Sequence, residues 1–327
     1  MTIQWSAFAD IIHANQSFVL TSHIRPDCDA LGSELGMAAI LRALGKDVRI
    51  VNGQGTPPSL TFIDPPGDIL VVHEDIEPEE LVDVDVLMVL DTSAWAQLGP
   101  MGEVLRTTKA TKVILDHHVS EDDLGATAFK DSGCEATGRL VIEAAEALGV
   151  PLNQEMATPL FAAIATDTGW FRFPSTTDET YEAVAKLVRV GARPADIYGE
   201  LYERDTMGRI KLRGLTLSRI TAELDGALAH TYVLKEDFEN TGALPSDTED
   251  LVNQALSIAG TKMALIFIGQ LNGGFKVSFR SRCKVDCSEL SSRFGGGGHR
   301  AAAGAFVDGD FEGVRKLVLD AVREAMR

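Results

Sequence analysis

A short apolar run, a polar cluster and a stretch of helical periodicity follow one another repeatedly along the first part of this chain. That unit limits the fold more than any other feature. The runs are 18–20, 48–51, 69–72, 86–90 and 113–115. Short β-branched segments alternating with amphipathic stretches predict a parallel, doubly wound α/β sheet. Residues 33–44 carry apolar positions at helical spacing, with Gly45 where a C-terminal cap belongs; 136–148 followed by Gly149 repeats the pattern. The Gly191-Ala192-Arg193-Pro194 break opens a polar helical stretch holding Arg204, Arg209, Lys211 and Arg213, which reads as a connector. Beyond it, 231–234, 264–268 and 275–279 read as strands, and 247–259, 286–294 and 311–326 as helices, so a smaller α/β or α+β domain is expected. The expected organisation is a domain over 1–190, a linker over 191–217 and a second domain over 218–327. A chain of 327 residues, 45% hydrophobic, is long enough for two cores.

The formal net charge of −18 argues against long duplex DNA, whose binding rests on many phosphate contacts. A small phosphorylated ligand held by a local basic cluster is compatible with it. No apolar run approaches a membrane span, and residues 1–10 lack the order of a signal peptide. Cys28, Cys134, Cys283 and Cys287 are too few and too scattered for a disulfide framework, so the cytoplasm is the expected address.

The chemistry gathers where the apolar runs end. His23, Asp27 and Asp29 follow the first run, Asp91 follows 86–90, and Asp116-His117-His118 follows 113–115. Strand carboxyl ends face the ligand crevice of an open α/β sheet. Asp167, after a helical stretch, is a further candidate. Singly, each has an ordinary explanation: Asp91 as a helix cap, Asp27 and Asp29 as a turn. Together, so many carboxylates would repel one another unless cations neutralised them. Carboxylates with a minority of imidazoles and no thiolate suit Mn²⁺ or Mg²⁺ better than structural zinc. The ligands suffice for two ions sharing a bridging carboxylate, an arrangement suited to phosphoester hydrolysis.

In the second half, Arg280-Ser281-Arg282 follows a strand, and Gly295-Gly296-Gly297-Gly298-His299-Arg300 follows a helix. From 271 to 300 there are six Lys/Arg against two Asp/Glu in an otherwise acidic chain. Glycines that let backbone N–H groups approach an anion, beside His and Arg donors, point to phosphate binding. No Walker-type glycine-lysine segment occurs.

These residues resemble the DHH phosphoesterase family. His23-x-x-Pro26-Asp27-x-Asp29-Ala30-x-Gly32-Ser33 is similar to its first signature, Asp91 to the second, Asp116-His117-His118 to the third and Asp167-Thr168-Gly169 to the fourth. The glycine run ending at His299, with Ala302-Ala303-Gly304 after it, resembles the associated DHHA1 domain. Residues 173–177 resemble the oligoribonuclease and 3′-phosphoadenosine 5′-phosphate phosphatase (nanoRNase-like) branch. Cys28 departs from the usual glycine, and its thiol is expected to point away from the ligands.

The resemblance implies that His23 and Asp27 hold one metal and Asp29, His117 and Asp167 the other, with Asp91 bridging. It implies that Asp116 orients the histidines and that His118 contacts the scissile phosphate. Arg280, Ser281, Arg282, Gly297, Gly298 and His299 would bind the far nucleotide or phosphate. The implied reaction is in-line attack by metal-bound hydroxide, with Mn²⁺ the expected metal and the site in a cleft between the domains. Substrates would be very short single-stranded oligonucleotides, cut to mononucleotides, and 3′-phosphoadenosine 5′-phosphate, converted to AMP. A dimer is a family expectation.

Cyclic or linear dinucleotide messengers are the nearest alternative substrates. A non-catalytic nucleotide sensor is the alternative of another class, but it would be expected to lack a ligand, and here every position is filled. The glycine-His segment argues against a family II pyrophosphatase, and the missing basic groove against a single-strand exonuclease. His13, His73 and His230 read as surface or satisfied structural histidines, Trp95 and Trp170 as core packing, and the acidic runs 74–80 and 121–123 as solvated loops. Cys283 and Cys287 lack a second ligand pair for zinc.

Overall fold

The computed structural model describes residues 3–119 and 122–327; Glu121, in the second acidic run, lies outside them. The chain divides into two compact units, Met1–Arg204 and Asp205–Arg327.

Among the described residues, the first unit carries a six-stranded sheet. Its strands are β1 (Ser17–Thr21), β2 (Asp47–Asn52), β3 (Ile69–Val71), β4 (Val86–Leu90), β5 (Thr111–Asp116) and β6 (Thr127–Lys130). They lie in the order β3-β2-β1-β4-β5-β6, every pair parallel. A parallel sheet must be covered on both faces, and strand alternation divides the apolar side chains accordingly. Phe18, Leu20, Val86, Met88, Leu90, Val113 and Leu115 enter one core. Val19, Leu87, Val89 and Ile114 enter the other.

The helices are α1 (Trp5–Ala14), α2 (Cys28–Ala43), α3 (Met101–Thr107), α4 (Thr137–Ala147), α5 (Gln154–Asp167), α6 (Asp178–Arg189) and α7 (Pro194–Tyr202). Helix α3 packs into the second core and the others into the first. The helix expected over 33–44 begins at Cys28, because the Asp27 carboxylate accepts the N–H groups of Asp29 and Ala30 as an N-cap. Helices α2 and α5 approach closely: a Cβ on Gly32 would stand 2.3 Å from the Pro159 carbonyl oxygen. Gly45 and Gly149 have φ of 75° and 68°, the left-handed geometry of a C-terminal cap.

The stretch 191–217 is mostly helical and is shared between the units: α7 belongs to the first and α8 (Met207–Ser218) to the second. The second unit adds β7 (Thr221–Glu223), β8 (Leu228–Val233), α9 (Lys235–Thr241), α10 (Leu251–Leu256), β9 (Met263–Gly269), β10 (Phe275–Ser281), α11 (Cys287–Ser292), β11 (Gly297–Gly298), β12 (Ala302–Val307) and α12 (Phe311–Ala325). Its sheet runs β11-β12-β10-β9-β8-β7, with β8–β9 the parallel pair and the rest antiparallel. The single helix expected over 247–259 is a 3₁₀ turn at Pro245–Thr248 and the short α10, interrupted where Asp250 takes φ 62°. Among the described residues, no helix is long and apolar enough to cross a membrane.

Candidate metal centre

The strand order reverses direction between β1 and β4, and that switch point is where a doubly wound sheet opens a ligand crevice. His23 lies just past β1 and Asp91 just past β4. Asp116 ends the neighbouring β5 and carries His117 and His118 beyond it. Asp27 and Asp29 open α2, and Asp167 closes α5. The close packing of α2 on α5 brings those two helix ends together.

Three groups that could each hold a metal ion result among the described residues: His23, Asp27 and Asp91; Asp29, His117 and Asp167; and Asp91, His117 and His118. His23 Nε2 lies 3.9 Å from Asp27 Oδ1 and 3.4 Å from Asp91 Oδ2. His117 Nε2 faces Asp29, Asp91 and Asp167 at 3.7, 3.6 and 3.5 Å. These gaps are too long for good hydrogen bonds. They suit donors spaced around one ion at bonds of about 2.0–2.2 Å.

The far side of each imidazole explains why the near nitrogen is available. His117 Nδ1 lies 3.2 Å from the Cys134 carbonyl oxygen and His23 Nδ1 3.1 Å from that of Ile24. A carbonyl oxygen only accepts, so Nδ1 carries the proton and Nε2 is left to bind a cation. Around these nitrogens the carboxyls are under electrostatic load. Burial, then the charge of Asp91, pushes Asp29 well above the usual carboxylate range. Burial, then Asp27, does the same to Asp91. Asp167 is raised chiefly by burial. A donor set of this kind fits divalent cations, which remove the repulsion that raises the carboxyls.

Asp116 differs from its neighbours. Burial would raise it, but hydrogen bonds from the side chain and backbone of His118 and from Ser93, with the Lys130 charge, outweigh burial and hold it at about 2. Its Oδ1 accepts His118 Nδ1 at 2.8 Å, while Oδ2 lies 2.8 Å from Ser93 Oγ and 3.1 Å from Lys130 Nζ. The hydrogen bond to Asp116 raises the His118 pKa. Cys28 is buried in the hydrophobic core with its thiol pushed up to about 12, mainly by burial.

Several contributors lie outside the motifs. Asp29 accepts the backbone N–H groups of Thr137 and Gly138 at 2.7 and 2.8 Å, and Asp91 Oδ1 accepts Thr137 Oγ1 at 2.8 Å. The first turn of α4 therefore holds two of the carboxylates. The sequence signal for this was a small Thr-Gly pair opening a helix. Lys130, on the four-residue β6, carried no recognisable signal.

In the second unit, Arg280 is half-buried on β10, Ser281 is buried, and Arg282 and His299 are exposed. The glycine run is built differently from an open anion loop. Gly297 and Gly298 form β11 against Gly304 and Ala303. A Cβ on Gly298, at φ 145°, would come within 2.7 Å of the Ala302 carbonyl oxygen. The N–H groups of Gly295, Gly296 and His299 are already given to Ser292, Ser291 and Ala302. The glycines thus permit a tight hairpin that presents the His299 and Arg300 side chains.

The remaining conspicuous residues have structural roles. Trp95 lies under the Arg106 guanidinium and donates Nε1–H to Asp123. Trp170 packs among Phe161, Phe171, Tyr198 and Tyr202. His230 is buried and bonded to Glu223.

Comparison with known proteins agrees with this architecture. The N-terminal domain of the DHH family matches residues 17–164 and the DHHA1 domain matches residues 225–327. The chain is 31% identical to the bifunctional oligoribonuclease and PAP phosphatase NrnA of Thermus thermophilus, over 94% of this chain and 89% of that one. It is 28% identical to the protein of that name from Bacillus subtilis, over 89% of each. The crystal structure of an exopolyphosphatase-related protein from Bacteroides fragilis superposes with a TM-score of 0.87 at 26% identity, covering 98% of this chain and 95% of the other. The chain belongs to the DHH family, with its N-terminal domain followed by a DHHA1 domain.

Proposed function

We propose that this chain is a metal-dependent phosphoesterase that cuts very short oligonucleotides to mononucleotides and converts 3′-phosphoadenosine 5′-phosphate to AMP. The observation that carries the proposal is the overlap of three ligand groups through Asp91 and His117 at the switch point of the sheet. Relatives spanning most of the chain bear the name oligoribonuclease and PAP phosphatase, which supports the substrate class.

His23 and Asp27 would hold one cation, Asp29, His117 and Asp167 a second, and Asp91 both; Mn²⁺ is the expected ion, given the oxygen-rich donor set. Bound there, such ions supply Lewis-acid charge to a phosphoryl group and lower the pKa of water. Asp116 commits His118 Nδ1 to a hydrogen bond, so Nε2 is the nitrogen left to meet substrate. The hydrogen bond to Asp116 raises the His118 pKa, which favours a proton on this imidazole that could pass to the departing oxygen. Arg280, Ser281, Arg282, Gly297, Gly298 and His299 would hold the far nucleotide. Of these, the side chains of Arg280, Arg282 and His299 would supply the charge, and Gly297 and Gly298 would bring the backbone close.

A time course on labelled two- to five-nucleotide RNAs, with Mn²⁺ or with chelator, tests the reading. Mononucleotide release that slows with length and stops with chelator is expected, with phosphate release from 3′-phosphoadenosine 5′-phosphate in parallel. Release independent of length, or undiminished by chelator, would count against it.

A further inference from the structure

Arg25 sits midway between His23 and Asp27 with φ 58°, immediately before Pro26. Side-chain-bearing residues rarely take that conformation, and a following proline pushes a residue towards extended backbone. The strain is held from outside the loop. The Arg25 N–H donates to Gln54 Oε1 at 2.8 Å, and the Ile24 N–H to the Gln97 carbonyl at 2.7 Å. Ile24 Cγ2 fills the space a Cβ on Gly99 would need, at 2.4 Å. Glycine would accept this geometry without strain, yet an arginine occupies it. Strain kept in this way is characteristic of binding and catalytic loops.

The side chain is also uncommitted. Arg42, Arg139, Arg193, Arg204, Arg219 and Arg323 each pair with a carboxylate. The Arg25 guanidinium is exposed and has no hydrogen bond or ion pair with any described residue. Consecutive Cα atoms are about 3.8 Å apart, so its Cα lies within about 7.6 Å of those of His23 and Asp27. An unpaired guanidinium is thus tethered beside the ligand cluster, on a residue exposed to solvent, while Asp29 and Asp91 are buried within it.

We propose that Arg25 is a substrate-binding residue that takes a phosphate next to the one being hydrolysed. The proposal rests on the phosphoesterase reading above. Cations held by the cluster would meet the scissile phosphate. A phosphate adjacent to it, on an acidic protein, calls for a further donor beside the cluster, apart from Arg280, Arg282 and His299, which are assigned the far nucleotide. The planar guanidinium fork matches phosphate oxygens in a way that a lysine ammonium does not.

The test compares the unmutated full chain with Arg25→Gly and Arg25→Lys, in Mn²⁺. The probes are dinucleotides whose internal linkage is an uncharged, hydrolysis-resistant methylphosphonate, phosphorylated at the 5′ end, at the 3′ end or at neither, with each terminal phosphate built as a hydrolysis-resistant methylenephosphonate. Calorimetric titration should show Arg25→Gly weakening at least one phosphorylated probe about ten-fold more than the unphosphorylated one, a difference of about 1.4 kcal/mol. Arg25→Lys should fall between. The melting temperature of Arg25→Gly should hold or rise as the backbone relaxes. Equal losses on all probes, no preference for phosphorylated probes in the unmutated chain, or a lowered melting temperature without phosphate-dependent loss would overturn the proposal. Failure of the unmutated chain to cleave an ordinary dinucleotide would sink the hydrolase reading while leaving this binding comparison to stand or fall by itself.

Discussion

The carboxylate of Asp29 accepts the backbone N–H of Thr137 at 2.7 Å, joining residues 108 positions apart. The same threonine donates its hydroxyl to Asp91. One residue of α4 therefore sets the orientation of two carboxylates, and it does so through separate groups, one backbone and one side chain.

Thr137→Val separates those groups, since valine keeps the shape and the N–H but loses the hydroxyl. The expected result is a Mn²⁺ affinity lowered about 10–100-fold, as for other groups that orient ligands. Manganese titration followed by the metal-dependent rise in melting temperature measures it. An unchanged affinity would mean that the hydroxyl contributes nothing to the site.

Asp91→Asn should act in opposite directions with and without metal. The raised pKa of Asp91 means that its folded-state charge is a burden, felt once pH climbs above the ordinary carboxylate range. In chelator at neutral pH the variant should therefore melt higher than the unmutated chain. With Mn²⁺ it should lose the stabilisation by metal, and kcat should fall more than about a hundred-fold, beyond what loss of an orienting group costs. Thermal melts with and without chelator, beside the RNA time course, decide it.

Glu34 is another buried acid, inside α2 and fully covered. Its Oε2 accepts Asn52 Nδ2 at 2.9 Å, and Asn52 Oδ1 accepts the N–H of Ser22, the residue before His23. Burial, partly offset by these neighbours, raises its pKa from 4.5 to about 7. The unfolded chain gives up this proton first, so stability is full below the lower value and declines as pH rises towards 7. Glu34→Gln removes the decline. Its stability relative to the unmutated chain should grow by about 3 kcal/mol between pH 4.5 and pH 8. Urea unfolding across that range checks the slope; parallel curves would show that Glu34 does not titrate as described.

Gly32→Ala tests the helix contact beneath the site. A methyl group 2.3 Å from the Pro159 carbonyl oxygen cannot be accommodated without separating α2 from α5. A loss of about 1–3 kcal/mol is expected from overpacking. Mn²⁺ affinity should fall as well, because Asp29 and Asp167 ride on those two helices. Gly45→Ala, at a left-handed cap with open space, should lose stability without the loss of metal affinity.

Period and residue type settled much of this protein before any folding. Apolar runs of strand length followed by helical stretches imply a doubly wound sheet. His and Asp at the ends of those runs imply a cation site, because strand ends share one edge. Such information is local, and local pattern is what a sequence displays directly. Tertiary structure alone decided the rest. The short β6 is a strand because β5 pairs with it, and β12, just after the glycine run, is a strand because β10 pairs with it. Thr137, Lys130 and Asn52 reach the site from distant segments through hydrogen bonds that need no pattern along the chain. Of the glycines before His299, Gly295 and Gly296 spend their N–H groups within a turn and Gly297 and Gly298 pair as a strand, which no pattern along the chain announced. A motif announces which chemical groups are present, but which partner each group meets depends on contacts between segments that the fold brings together.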